Sequence, residues 1–124
     1  METSSECVLC VADSNIRLNH IARTLKKAGY NVVLSSSAHN AVAIVAISKN
    51  LVAVVIDEDL VFSSGSVAES IKAVKPLPIL LVCDAGPTGA LPPGVDLATA
   101  NGSRQQIVAG MAKLRSAHAL KITA

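Results

Sequence analysis

Short apolar runs alternate with amphipathic stretches along this chain. CVLCVA (7–12), NVVLS (31–35), VAVVI (52–56) and PILLVC (78–83) are near-continuous and rich in β-branched residues. Strands buried on both faces, as in a parallel sheet, read this way. Between the first two runs lies SNIRLNHIARTLKKAG, where Leu18, Ile21, Ala22 and Leu25 follow helical spacing and Gly29 supplies a stop. SAHNAVAIVAISKN predicts a second helix with Ser37 as N-cap. GSVAESIKAVKP predicts a third, with Val67, Ile71 and Val74 as its inner stripe. VDLAT (95–99) is a weak fifth strand. A last helix starts at Ser103, where SRQQ fits a capping box, and turns Ile107, Val108, Met111 and Leu114 inward.

This order predicts an α/β fold: a three-layer, doubly wound, parallel five-stranded sheet, for which the flavodoxin-like strand order 2-1-3-4-5 is a common known arrangement. The fourth helix is expected to be shortened or absent. DAGPTGALPPG (84–94) contains Pro87, Pro92 and Pro93 with Gly86, Gly89 and Gly94, which a helix interior tolerates poorly. Its loss should uncover apolar sheet near Ile79, Leu81, Val95 and Leu97, a face available for self-association unless Leu91 or a partner covers it.

Composition narrows the function. At 124 residues the chain fits one domain, expected at 6–115 after a disordered leader (1–5) and before a C-terminal tail or helix extension (116–124). An apolar fraction of 51% supports a core. A net charge of +2 without a basic run argues against nucleic acid or membrane as partner. No signal peptide or membrane span is visible, so the expected setting is cytoplasmic. Cys7 and Cys10 form C-x-x-C, but within a strand they face opposite sides, so they read as buried thiols rather than a redox or zinc pair. His20, His39 and His118 show no ligand spacing.

The candidate chemistry lies at strand ends. The first strand runs into Asp13, and the third into Asp57, Glu58 and Asp59. In the 2-1-3-4-5 order these two strands flank the switch point, where open parallel sheets build their sites. Clustered carboxylates need a cation or a proton, and oxygen ligands suit Mg²⁺.

Here the sequence resembles the receiver domain of two-component response regulators. VLCVADSN looks like that family's first strand and acidic pair. LVAVVIDEDLVFSSG looks like its third strand, phosphoacceptor and later Gly65, and SIKAVKPLPILLVC like its third helix and fourth strand. The resemblance implies Asp57 as phosphoacceptor, with Asp13, Asp57 and the backbone carbonyl of Asp59 around a weakly bound Mg²⁺. It also exposes departures: Ala12 replaces one acid of the pair, and Cys83 replaces a Ser or Thr. Asn101 replaces a Lys and Ala98 an aromatic switch residue. The expected function is a stand-alone, non-enzymatic receiver of phosphorelay signalling with a degenerate pocket, a pseudo-receiver acting through protein partners. The alternative is phosphorylation of Asp57 by a histidine kinase. A remote alternative is a haloacid-dehalogenase-like phosphohydrolase using Asp57 and Asp59, whose D-x-D motif here sits mid-chain.

Overall fold

The computed structural model describes residues 6–57, 67–83, 91–100 and 104–123. Five strands form one parallel sheet: β1 (Cys7–Val11), β2 (Asn31–Ser35), β3 (Leu51–Asp57), β4 (Ile79–Cys83) and β5 (Leu97–Ala100). Their order is β2-β1-β3-β4-β5, the order that the resemblance to receiver domains implies. Among the described residues the helices are α1 (Asn15–Lys27), α2 (Ala38–Ile47), α3 (Val67–Val74) and α4 (Arg104–Thr123). The backbone therefore stays helical well past 115.

Alternation along β1 sorts the core into two layers. Val8 and Cys10 pack with Leu18, Ile21, Leu25, Ile107 and Met111 under α1 and α4. Leu9 and Val11 pack with Ala41, Val45, Val67 and Ile71 under α2 and α3. Cys7 joins this second layer, so the two cysteines of C-x-x-C do face opposite sides of the sheet. β2 departs from the expected double-sided burial. It is an edge strand, and Leu34 is 41% exposed. Two helix-face expectations also need correction. Val74, the closing residue of α3, is exposed, and Val108 is only partly buried.

Local chemistry sets the ends of α1. Ser14 Oγ accepts a hydrogen bond from the Arg17 amide, which caps the helix. At the other end Gly29 has φ +102°, its amide donates to the Lys26 carbonyl, and the Tyr30 amide donates to that of Leu25. That paired closure is a Schellman motif, and Lys26 and Lys27 in the last turn complement the helix dipole.

The connection between β4 and β5 overturns the expectation of an uncovered sheet. Residues 84–90 lie outside the described part, and 91–96 are not helical. Yet Ile79 is 0%, Leu81 2% and Val95 8% exposed. Leu97 packs partly buried against the α1/α4 layer, while Leu91 is 43% exposed. Val95 instead inserts into the α2/α3 layer. Asp96 secures the segment: its Oδ2 accepts from the Ile79 amide at 2.8 Å and from Lys72 Nζ at 2.6 Å. Gly94, at φ +86°, lets the chain rest on the α3 backbone. A Cβ there would lie 2.8 Å from the Ala68 carbonyl carbon and the Glu69 amide nitrogen.

Two glycine substitutions separate conformation from contact. Gly29→Ala meets nothing within 4 Å and should lose about 1 kcal/mol from its left-handed backbone alone. Gly94→Ala adds a clash with a helix backbone and should lose about 2–4 kcal/mol in urea unfolding. Equal losses at the two positions would show that the 91–96 segment does not press on α3.

Candidate functional site

β1 is flanked by β2 on one side and β3 on the other, and the chain leaves β1 toward one sheet face and β3 toward the other. The carboxyl edge between β1 and β3 is therefore the switch point. Val11 pairs with Ile56, which puts Ala12 and Asp57 next along adjacent strands. Asp57 also pairs with Val82, so Cys83 follows on the other flank.

Asp57 is a charged group with 0% exposure, and burying a carboxylate is costly unless a counter-charge meets it. Arg17 meets it. Its Nε donates to Oδ1 at 2.9 Å and to Oδ2 at 3.0 Å, and Nη2 stands 2.9 Å from Oδ1. The guanidinium thus engages both carboxylate oxygens with charge-assisted hydrogen bonds. The Arg17 side chain is 22% exposed, so little water screens the pair. Ser14 prepares this reach, because its hydroxyl fixes the Arg17 amide in the first turn of α1.

The other sequence-derived positions divide clearly. Ala12 is fully buried at the end of β1 and offers no side-chain oxygen. Asp13 is exposed. Cys83 ends β4 at 6% exposure, and Ala98 is a partly buried residue of β5. Asp59, Glu58, Gly65 and Asn101 lie outside the described residues. Among the described residues no cluster of three or more His, Cys, Asp or Glu could hold a metal ion. Among the described residues, the side chains around Asp57 do not fit a divalent cation: its oxygens face a guanidinium, and its neighbour at the tip of β1 is alanine.

Arg17 is absent from the sequence-derived site, although a signal for it exists. It occupies the third helical position after the Ser14 cap, where a capping box places Glu or Gln. α1 has no acid in its first turn, so a cation there works against the helix dipole. A misplaced cation beside an acid-ended strand is a pair that spacing alone does not announce.

The comparisons agree with this architecture. Neither a protein-family model nor a curated protein matches the sequence. The N-terminal domain of a response regulator/sensory box/GGDEF 3-domain protein from Carboxydothermus hydrogenoformans matches with TM-score 0.78 at 19% identity, over 94% of this chain and 99% of that one. A response regulator protein from Burkholderia pseudomallei, solved with a phosphorylated aspartic acid, calcium ion and citrate, gives 0.68 at 20% identity, over 94% and 74%. The complex of the phosphorylated P1 domain of CheA3 with CheY6 from R. sphaeroides gives 0.71 at 18% identity, over 91% and 99%. The fold is that of response-regulator receiver domains. No helix among the described residues is long and apolar enough to cross a membrane.

Removing the guanidinium should be expensive. Arg17→Ala leaves the Asp57 charge buried without it, and should lower unfolding stability by about 2–4 kcal/mol. Asp57→Asn in that background should restore part of the loss. A loss below about 0.5 kcal/mol would place the pair among those that contribute nothing measurable.

Cys10 carries a separate prediction. Burial pushes its thiol from 9.0 up to about 12, against the opposing positive charge of Lys26. The folded thiol holds its proton where the unfolded one releases it. Its contribution to stability is therefore whole below pH 9.0 and is lost as pH rises toward about 12. Alkylation mapped by mass spectrometry near neutral pH should spare Cys10 until the chain is unfolded.

Proposed function

We propose that this chain is a receiver-type module of two-component signalling that works by binding protein partners, with a degenerate phosphoacceptor pocket centred on Asp57. The observation that carries this reading is the state of Asp57 itself. It stands at the switch-point strand tip of a receiver fold, yet it is fully buried with a guanidinium across both oxygens. A carboxylate nucleophile needs a free lone pair directed at an incoming phosphorus atom. Both oxygens of Asp57 are engaged by the guanidinium, which lowers their nucleophilicity, and the full burial of the carboxylate hinders approach of a phosphorus atom.

Two neighbours support the same reading. Cys83, at the end of β4, is a weak donor for a phosphoryl oxygen. Ala98 has no ring to rotate inward as a switch. A ligand shifts a conformational equilibrium only through contacts that differ between the states. The role is non-enzymatic. Partners are proteins of the phosphorelay class, by analogy with the complex of a phosphorylated P1 domain with CheY6 among the structural neighbours.

A second reading has one observation in its favour: an aspartate does end β3 where a phosphoacceptor would stand. Intact-mass analysis decides between the two. After incubation with acetyl phosphate and Mg²⁺, the chain should stay at its unmodified mass or show only a trace of adduct. Ready stoichiometric addition of one phosphoryl group, abolished by Asp57→Asn, would establish the phosphorylatable receiver and end the degenerate reading.

A further inference from the structure

We propose that Arg17 is a built-in replacement for the divalent cation of a receiver pocket, so that the chain itself neutralises Asp57 and closes the site to Mg²⁺. The comparison with a cation-dependent pocket rests on the receiver reading above, while the closure rests on this chain's own residues.

Among the described residues, the charge of Asp57 is met without a metal. One carboxylate, at 0% exposure, faces one guanidinium at 2.9–3.0 Å. Asp13 is exposed, where water solvates its charge. Ala12 is buried and brings neither charge nor oxygen from its side chain. A second acid at that position would make the cluster net negative and call for a second positive charge. With alanine there, the described side chains buried at this tip, Arg17 and Asp57, are one cation and one anion.

The replacement is also hard to displace. Mg²⁺ demands near-octahedral oxygen coordination and keeps several of its waters. To reach Asp57 it must remove the guanidinium from both oxygens and stand beside its positive charge. Arginine cannot lose a proton to make way, as a lysine could. Nor is its side chain loosely held. The Arg17 amide is fixed by Ser14 Oγ, and the stem leaves from the first turn of α1. The planar fork is spent on a carboxylate whose strand pairs on both flanks. These features describe a pocket whose cation is encoded rather than acquired.

The test is a Mg²⁺ titration of the full chain, followed by the amide resonances of residues 13 and 57 and by thermal stability, with Mn²⁺ broadening as a second probe. The original chain should show no saturable response at residue 57. Arg17→Gln should gain one, with an affinity higher by about tenfold or more and a melting temperature that rises with Mg²⁺. Adding Asp57→Asn should remove that gain. Saturable Mg²⁺ binding or Mn²⁺ broadening at residue 57 in the original chain would overturn the proposal, and this arm needs no variant to fold. A folded Arg17→Gln that gains no affinity would overturn it too. Phosphorylation measured in parallel separates the two ideas. A chain silent to Mg²⁺ but readily phosphorylated defeats the degenerate-receiver reading and leaves the encoded cation standing. A chain that binds Mg²⁺ at residue 57 but is never phosphorylated does the reverse.

Discussion

A carboxylate buried at the tip of a central strand must be met by a positive charge, and the local structure of this protein is organised around meeting it. Asp57 cannot be left bare, because an unpaired charge in such a place costs several kcal/mol even after relaxation (about 3–5 for a broken buried pair). The counter-charge comes from forty positions earlier, in the first turn of α1. This makes the β1–α1 connection more than a link. Ser14 caps α1, the cap sets the Arg17 amide, and the guanidinium pins the helix to the end of β3. A helix start and a strand end that are remote in sequence are held as one piece by an ionic contact with little access to water.

Much of the fold was legible because each level of pattern agreed with the next. The runs at 7–12, 31–35, 52–56 and 78–83 mark four of the five strands, and the spacing of Leu18, Ile21, Ala22 and Leu25 marks the buried face of α1. What failed to read was what depends on placement in space. NVVLS is as apolar as a central strand, but only the sheet order makes it an edge. Val74 keeps the helical stripe, yet α3 ends there and leaves it exposed. The 84–94 segment reads as a loss of cover, because proline and glycine exclude a helix without saying what will lie over the sheet. Gly94 supplies the answer only after its backbone is seen against Ala68.

The site shows the same division. Asp57 was legible as an acid ending an apolar run, and Ala12 and Cys83 as departures from a resembled pattern. Arg17 was not, because its meaning lies in a contact between α1 and β3 rather than in any motif. An arginine at a helix start that looks unfavourable locally becomes favourable once the buried acid is counted. Local inconsistency of this kind tends to mark positions where a tertiary requirement has prevailed over propensity.

The position of β1 has a consequence for how the chain is made. It lies between β2 and β3, yet it precedes both in the chain, and its five residues Cys7–Val11 carry no charge. A growing polypeptide leaves the ribosome from its amino end, at about 5–20 residues per second. β1 therefore emerges first and must wait through α1 for one neighbour and through α2 for the other. During that interval it is a short uncharged segment with both rows of backbone donors and acceptors open, the composition most prone to pair with copies of itself. The same central placement that makes β1 inaccessible in the finished domain makes it the segment a nascent-chain chaperone has most reason to shield.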